Sequence, residues 1–311
     1  MRGTVRPMTG PLAIIGLGLM GSRMSRRLIG DGFRLRGYDI DPERLAEFEE
    51  SGGEIAGSPV ETVEGCWAAV LSLPNSDVAR AVCLGDNGLV DAPGRPLTVY
   101  DTTTGRPEDA VEFAGRLAEA GIRYCDTTVS GNSEIAERGE LVVMMGGPDE
   151  AYNAGVPIFE SIGRSHHHVG AAGSGSRMKL LVNHVLAIHR MALAEGLVVA
   201  ELAGMDLGLT LEVLKDSLAY SKAMDAWGER MIEGDHAAPF ARLRQTHKDA
   251  RLIVEHAIGL GAPVGLVDVV RETLAEGERA GLGDADNSAV MEVLRRRAGL
   301  GRVAGDAEMS D

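Results

Sequence analysis

Over roughly the first 170 residues, short runs of apolar residues alternate with amphipathic segments. The apolar runs predict β-strands and the amphipathic segments predict helices, such as Pro107 to Ala120 with Gly121 as its C-terminal cap. Strands that are apolar at nearly every position and separated by helices indicate a parallel sheet covered on both faces. The strands are predicted at residues 12–15, 34–38, 68–73, 97–101, 122–126 and 141–145.

The pattern changes after a glycine-rich join at residues 168–175, which has the composition of a hinge. Beyond it, helical periodicity continues from Arg177 to Arg297 with few interruptions, which is typical of an all-helical region. The predicted interruptions are turns at Gly204, at Gly234-Asp235 and around Gly261 to Gly265.

We therefore expect an α/β domain over residues 11–173, followed by an all-α domain over residues 176–300. The total length of 311 residues suits two domains of this size. Residues 1–10 and 301–311 are polar and without periodicity, so we expect them to be disordered.

The composition excludes several classes of protein. The net charge of −15 argues against a nucleic-acid or anionic-membrane partner. The longest apolar segment, residues 180–203, contains charged and amide side chains and therefore predicts a buried helix, not a membrane span. The three cysteines, Cys66, Cys83 and Cys125, form no Cys-x-x-Cys pair, which indicates free thiols in a reducing compartment. We expect a cytoplasmic protein.

The first predicted strand leads directly into Gly-x-Gly-x-x-Gly at residues 16–21, followed by a predicted helix. In this context Gly16 allows a tight turn, Gly18 lets the backbone approach a pyrophosphate, and Gly21 lets the helix pack against the strand. Leu19 and Met20 lie inside the same loop. The N-terminus of the helix attracts the anion, so the motif predicts a dinucleotide site.

The second predicted strand stops at Asp39, 18 residues after Gly21. A carboxylate at this distance accepts hydrogen bonds from the adenosine ribose hydroxyls. Asp39 and Asp41 would both repel the 2′-phosphate of NADP, so the sequence favours NAD. Arg44 follows one helical turn later and keeps NADP open as the less favoured alternative.

Lys179 and Asn183 lie just inside the helical region, four residues apart and therefore on one helix face. Next to the join, that face would point into a cleft between the domains, where a partly desolvated lysine exchanges protons near neutral pH. On spacing alone, the alternative is a solvated lysine and an asparagine engaged in a local cap.

Two strand ends carry further candidates. Residues 126–131 end in Ser130-Gly131, whose hydroxyl and backbone N–H groups suit a small carboxylate, although an ordinary turn is equally compatible. The threonines of residues 101–104 would reach the nicotinamide ribose or, alternatively, cap the helix that begins near Pro107.

Two other groups have simpler interpretations. Successive side chains of a strand point to opposite faces, so His166-His167-His168 cannot converge on one ion, and we expect no metal site. Lys248-Asp249, on a predicted helix, would by default form a surface ion pair.

Taken together, these motifs resemble those of the β-hydroxyacid dehydrogenase family, in the same order, over about residues 11–295. The resemblance implies a Rossmann-like dinucleotide-binding domain followed by an all-α domain. It rests on Gly-Leu-Gly-Leu-Met-Gly at 16–21, Leu73-Pro74, Asp-Thr-Thr-Thr at 101–104, Asp-Thr-Thr-Val-Ser-Gly at 126–131, the glycine-rich 170–175 with Lys179 and Asn183, and Lys248-Asp249.

The resemblance also implies a role for each matching residue. Lys179 is implied as the catalytic acid/base, and Asn183 orients the substrate. Substrate-binding roles fall on Ser130, Gly131, Asn132, Asn183 and Lys248. Cofactor-binding roles fall on Gly16, Gly18, Leu19, Met20, Gly21, Asp39, Leu73, Pro74, Thr104 and Lys248.

The chain departs from the family pattern in its substrate turn. Thr127-Thr128 replaces Ala-Pro, and Asn132, Ser133 and Ile135-Ala136 occupy positions that are usually glycine-rich or small. A bulkier, more polar turn implies a substrate other than 3-hydroxyisobutyrate. The decarboxylating branch of the family carries a glutamate seven residues after the lysine, where this chain has Leu186, so we expect no decarboxylation.

The sequence therefore predicts NAD-dependent hydride transfer to or from a small β-hydroxyacid or the matching aldehyde or keto acid, without a metal. The helix over residues 177–203, apolar over much of its surface, favours a homodimer or homotetramer. Two alternatives remain: an imine reductase-like enzyme, against which Lys179 counts, and a non-catalytic dinucleotide-binding scaffold.

Overall fold

The structure, a computed structural model, describes residues 10–92 and 97–301. The chain divides into two compact units, Met1–Lys179 and Leu180–Asp311. The disorder predicted for the two ends of the chain falls outside the described residues, except at Gly10 and Gly301.

Within the described residues, the first unit contains one sheet of eight strands in the order β3-β2-β1-β4-β5-β6-β7-β8. The order 3-2-1-4-5-6 is that of a Rossmann-like sheet, with its topological switch point between β1 and β4. The strands are β1 (Leu12–Ile15), β2 (Leu35–Tyr38), β3 (Glu54–Ile55), β4 (Ala68–Leu71), β5 (Thr98–Asp101), β6 (Arg123–Ser130), β7 (Leu141–Gly146) and β8 (Gly163–Gly170).

The prediction of a parallel sheet is wrong at one pair of strands, because β7 runs antiparallel to β6, while β8 is parallel to β7 and the remaining pairs are parallel. The connection from Ser130 to Leu141 is shorter than the dozen or more residues that a parallel crossover needs. An apolar run shows that a strand is buried but carries no information about its direction.

The strands β3 and β8 are not predicted from the sequence, because neither contains an apolar run. The two residues of β3 are exposed, and β8 is a half-buried edge strand that contains the three histidines. The strand β6 also continues four residues beyond its predicted end at Asp126.

Helices cover the sheet in the first unit. Alternate residues of β1 enter different apolar clusters, with Leu12 and Ile14 in one and Ala13 and Ile15 in the other, so both faces of the sheet are buried. The helices are α1 (Gly21–Gly30), α2 (Pro42–Glu50), α3 (Pro59–Thr62), α4 (Ser76–Leu84), α5 (Pro107–Glu119), α6 (Ser133–Glu137) and α7 (Asp149–Ile162).

The helix α8 (Ser174–Leu202) begins in the first unit and continues into the second, where further helices pack around a separate apolar cluster that includes Met191, Leu197 and Trp227. No described helix is long and apolar enough to cross a membrane. The remaining helices are α9 (Leu207–Asp216), α10 (Lys222–Glu233), α11 (Leu243–Gly259), α12 (Gly265–Arg279) and α13 (Val290–Arg297).

Candidate functional site

The loops that carry most of the predicted site residues leave the sheet at one edge. In the register of the sheet, Ile15 lies beside Leu71, Leu71 beside Asp101, and Asp101 beside Asp126. The strands β1, β4 and β5 therefore have their carboxyl ends at the same level, whereas the neighbouring β6 continues four residues further, to Ser130. This edge is where open α/β sheets bind their ligands.

The glycine loop after β1 has two glycines that the fold itself requires. Gly16 has a positive φ of +91°, and a Cβ there would overlap the carbonyl oxygen of Ser72. A Cβ at Gly21 would overlap the carbonyl oxygen of Gly16. These overlaps explain a glycine at the turn and another where α1 packs against the loop.

Gly18 is different, because no atom of the described residues excludes a side chain there. The nearest atom to an added Cβ is Nη1 of Arg44, at an ordinary contact distance of 3.5 Å. The neighbouring Leu19 is 50% exposed although it is large and apolar. A loop with an unrequired glycine and an exposed leucine fits a ligand that approaches its backbone closely, as a pyrophosphate does.

Asp39 at the end of β2 is tied to this loop. It is 7% exposed, and its two carboxylate oxygens accept hydrogen bonds from the backbone N–H groups of Leu17 (2.6 Å) and Asp41 (3.0 Å). The Arg44 guanidinium lies 3.6 Å from the Asp39 carboxylate and 3.3 Å from that of Asp41. Two acidic side chains and one arginine therefore stand where the adenosine ribose is predicted.

The loops after β4 and β5 are joined by buried hydrogen bonds. The Thr103 hydroxyl accepts from the backbone N–H of Leu73 (3.1 Å), and Asp101 accepts from the N–H of Thr103 (2.9 Å) and from the Tyr124 hydroxyl (2.7 Å). Burial raises the pKa of the Asp101 carboxyl, although these hydrogen bonds oppose the shift. The half-buried Thr104 follows directly in the same loop.

For Thr102 and Thr103, the alternative role as caps of the helix α5 is wrong, because their hydroxyls bond to Leu71 and Leu73. The N-cap residue of α5 is Arg106, whose side chain makes no capping hydrogen bond. The Thr102 hydroxyl instead donates to the carbonyl oxygen of Leu71 at 2.6 Å, which fixes the loop to the adjacent strand.

The predicted substrate turn follows β6. Ser130 is half-buried at the end of the strand, and Gly131 has a φ of +144°, where an added Cβ would lie 2.8 Å from the Ile135 side chain. The Asn132 side-chain oxygen accepts from the backbone N–H of Ile135 (2.9 Å) and so caps the helix α6. This bond holds the shape of the turn and leaves the carboxylate-binding prediction to the Ser130 hydroxyl and backbone N–H groups.

Lys179 lies on the first turns of α8 and is half-buried, as is Asn183 one turn later. The Asn183 amide nitrogen donates to Asp249 on α11 at 3.0 Å. The other oxygen of Asp249 lies 3.2 Å from the Lys248 ammonium. The structure therefore links two predicted site residues, Asn183 and Lys248, through one carboxylate.

Asp249 was not among the predicted site residues, although it follows Lys248 in the sequence. The pair was interpreted by default as a surface ion pair, yet the side chains of Lys248 and Asp249 are only 26% and 17% exposed. The contact with Asn183 spans 66 residues, so no local spacing could have predicted it.

Two of the histidines of β8, His166 and His168, form hydrogen bonds with neighbouring residues of the first unit. His166 shares a 2.7 Å hydrogen bond with the Tyr152 hydroxyl, and His168 contacts Asp149 (3.0 Å) and the carbonyl oxygen of Gly147 (2.7 Å). Across residues 10–92 and 97–301, no group of three or more His, Cys, Asp or Glu side chains is placed to hold a metal ion.

Two sequence models of protein families match nearly the whole chain. Residues 11–170 match the NAD binding domain of 6-phosphogluconate dehydrogenase, and residues 173–294 match the NAD-binding domain of NADP-dependent 3-hydroxyisobutyrate dehydrogenase. The chain belongs to the β-hydroxyacid dehydrogenase family and is an NAD(P)-dependent oxidoreductase. The predicted family and fold class are thereby confirmed.

Several curated proteins are similar over almost their full lengths. The 2-(hydroxymethyl)glutarate dehydrogenase of Eubacterium barkeri is 29% identical, over 93% of this chain and 96% of that protein. The 3-hydroxyisobutyrate dehydrogenase of Pseudomonas aeruginosa is also 29% identical, over 91% of this chain and 98% of its own.

Solved structures agree with this grouping. A 3-hydroxyisobutyrate dehydrogenase from Salmonella typhimurium superimposes with a TM-score of 0.83 at 25% identity, covering 91% of this chain and 99% of that one. Psf3 in complex with NADP⁺ and 2-OPP has the same fold, with a TM-score of 0.84 at 23% identity and the same coverage. An imine reductase from Myxococcus stipitatus is more distant, with a TM-score of 0.62 at 18% identity over 92% of this chain and 100% of that one.

Proposed function

We propose that this protein transfers a hydride between a nicotinamide cofactor and a small β-hydroxyacid, or the matching aldehyde or keto acid. The observation that carries the proposal is the common edge at the ends of β1, β4 and β5, where the glycine loop, Leu73-Pro74 and Thr104 follow strands in register. At that edge Gly18 has no role in the fold that requires a glycine, so we assign it to the pyrophosphate.

We propose NAD as the preferred cofactor. The Asp39 carboxylate is fixed by two backbone N–H groups, and Asp41 adds a second negative charge where a 2′-phosphate would have to lie. Arg44 is the only cation within 4 Å of these two carboxylates among the described residues, and they already neutralise it. The relatives include both NAD-binding and NADP-dependent domains, so the preference rests on these side chains alone.

For catalysis we propose Lys179 as the general acid/base on the reacting oxygen. In the oxidation direction its amine takes the hydroxyl proton while the substrate carbon loses a hydride; in reduction its ammonium returns the proton. When bound, the nicotinamide accepts or donates that hydride, so the reaction needs no metal.

For substrate binding we propose that Ser130 and the backbone of Gly131 and Asn132 hold a carboxylate, and that Asn183 orients the reacting hydroxyl. The Asn183 amide nitrogen donates to Asp249, so its side-chain oxygen points away from Asp249. We propose that this oxygen accepts a hydrogen bond from the substrate hydroxyl. Lys248, on the other oxygen of Asp249, is assigned to the nicotinamide end of the site and to the substrate.

The assembly proposed is a cytoplasmic homodimer or homotetramer. Four large apolar side chains on α8 are 46–61% exposed and recur at helical spacing along one face. A second copy of the chain is the simplest way to bury them. These residues are Leu181, Val185, Val199 and Leu202.

The test is a panel of short hydroxyacids with NAD or NADP, and of aldehydes and keto acids with NADH or NADPH, followed at 340 nm. We expect turnover of at least one β-hydroxyacid or its carbonyl partner, with kcat/KM at least about tenfold higher for NAD than for NADP, which is about 1.4 kcal/mol. Gly18→Val should remove NADH binding in a fluorescence titration while the circular dichroism spectrum is kept.

Four outcomes would each contradict a separate part of this proposal. Higher efficiency with NADP overturns the cofactor preference, and unchanged NADH affinity in Gly18→Val overturns the cofactor loop. NADH binding without turnover of any hydroxyacid or carbonyl compound would favour the non-catalytic scaffold, and reduction of cyclic imines alone would favour the imine reductase alternative.

A further inference from the structure

We propose that Asp126 and Thr128 are positioning residues that fix the first turn of α8, and with it Lys179, to the strand that ends in Ser130. The inference rests on the proposed role of Lys179. All of the residues concerned lie in the first compact unit, so the argument needs no assumption about the second.

Asp126 acts as a helix cap from a distant part of the chain. Its side chain is buried, with 2% of the residue exposed, and its two oxygens accept from the backbone N–H groups of Gly173 (2.8 Å) and Ser176 (2.7 Å). These are N–H groups that the start of a helix leaves without an internal partner. A carboxylate 47 to 50 residues earlier therefore does what a local N-cap side chain does elsewhere.

Thr128 makes a second link between the same strand and the same turn. Its fully buried hydroxyl lies 2.8 Å from the carbonyl oxygen of Gly175 and 3.3 Å from that of Met144. A Cβ at Gly175 would overlap the carbonyl oxygen of Asp126, so strand and helix backbones are in direct contact here. Thr128 stands where the family pattern has proline, which has no hydroxyl to make this bond.

The alternation of the strand connects these contacts with the substrate turn. Residues 126, 128 and 130 lie on one face of β6, because side chains two apart in a strand point the same way. The face that holds the first turn of α8 is thus also the face that presents the Ser130 hydroxyl. Lys179 follows Ser176 by less than one turn, so any movement of this turn moves its amine relative to Ser130.

Thr128→Val is the sharpest test, because it removes the hydroxyl while nearly keeping the volume, and Thr128→Ser restores the hydroxyl. Thr127→Val is the matched control. Thr127 is also fully buried but lies on the opposite face of β6, away from the first turn of α8, and its hydroxyl donates to the carbonyl oxygen of Cys125. Asp126→Asn is a second variant, in which one acceptor oxygen becomes an amide that faces an N–H group.

The first measurement is hydrogen–deuterium exchange of the peptide that covers residues 173–180, without ligands. We expect exchange at least about tenfold faster in Thr128→Val and Asp126→Asn, and unchanged exchange in Thr127→Val and Thr128→Ser. Equal exchange in the wild type and Thr128→Val would overturn the proposal whether or not the enzyme has been assigned the right reaction.

The second measurement separates positioning from general damage. With the carbonyl compound that has the highest kcat/KM in the panel, Thr128→Val should lower kcat about tenfold, leave the NADH dissociation constant within twofold, and be rescued by Thr128→Ser. A parallel loss of NADH affinity, or no rescue by serine, contradicts the positioning role. If Lys179→Ala keeps its turnover, the proposed catalytic lysine fails, while the exchange result still decides whether these side chains fix the helix.

Discussion

The two units of this protein hold the polar side chains near the predicted site residues in different ways. In the first unit, the buried carboxylates Asp39, Asp101 and Asp126 each accept hydrogen bonds from backbone N–H groups of the loops beside them. In the second unit, the candidate residues Asn183 and Lys248 are held by another side chain, that of Asp249.

The interiors of the two units differ in the same sense. Among residues 10–92 and 97–301, every buried side-chain nitrogen or oxygen that lacks a hydrogen-bond partner belongs to the second unit. Backbone groups cannot turn away without unfolding a loop, whereas side chains exchange partners by changing rotamer. From this contrast we expect the first unit to hold a more fixed geometry and the second to adjust more readily. The atoms concerned are Trp227 Nε1, Arg230 Nη1, His236 Nε2, Asp249 Oδ1, Asn287 Oδ1, Glu292 Oε1 and Arg295 Nε, of which Arg230 Nη1 and Asp249 Oδ1 still lie 3.2 Å from an oppositely charged group.

The largest expected effect tests whether a residue of the first unit carries out the proton transfer. Lys179→Ala should lower kcat by about 10²–10⁴, the usual contribution of a general acid/base, since the reacting oxygen loses its proton partner. The NADH dissociation constant should stay within twofold, and an ionisation in the pH–rate profile should disappear. Lys222→Ala, on α10, is the control of the same residue type. Near-wild-type turnover at saturating substrate would move the proton transfer elsewhere, and Lys248 would be tested next.

The same contrast explains what the sequence could predict. The glycine loop, Asp39 and the ends of β4 and β5 follow from short spacings, because a strand end and its loop are local in the chain. The direction of β7 depends on the length of a connection, and β8 has no apolar run. The partners of Asp126 and Asn183 are about 50 and 66 residues away, so only the fold brings them together. Roles for Lys179 and Lys248 follow from the family resemblance and not from spacing, which alone favours a solvated lysine at 179 and a surface ion pair at 248.

A smaller effect is expected from a change in the second unit. Asp249→Ala removes the acceptor of the Asn183 amide and one partner of Lys248, so the Asn183 amide can turn away from the substrate. We expect the substrate KM to rise about tenfold, about 1.4 kcal/mol, with a smaller change in kcat. Asp249→Asn keeps an acceptor oxygen for Asn183, so its KM should lie between those of the wild type and Asp249→Ala. The control is Asp268→Ala, which loses an ion pair with Arg271 on α12.

Steady-state kinetics with the best substrate of the panel would check this prediction. A fall in kcat at constant KM would contradict it, because Asp249 would then act on the chemical step like a residue of the fixed edge. The contrast between a rigid first unit and an adaptable second unit would lose its functional meaning.

The smallest expected effect concerns the cost of fixing Asp126 in the first unit. Burial raises the pKa of its carboxyl from the ordinary 3.8 to about 6, although the N–H groups of Ser176 and Gly173 oppose the shift. The folded state therefore binds a proton more readily than the unfolded chain between about pH 4 and 6, so this group makes the protein less stable as pH rises through that range. The neighbouring Cys125 does not interfere, because burial raises the pKa of its thiol to about 12.

Asp126→Asn has no such ionisation, so the melting temperature of the wild type relative to this variant should fall by a few degrees from pH 4 to pH 7. Calorimetry at several pH values between these limits measures the difference directly and cancels the titration of all other groups. A difference that instead grows with pH would mean that the two N–H bonds and the helix terminus outweigh the loss of hydration. The ionised cap would then stabilise the fold by itself, and a purely structural role would account for Asp126. A difference that falls with pH means that the protein keeps a charged side chain at a cost to stability. We expect this result if Asp126 is retained because it holds α8 and Lys179 in place.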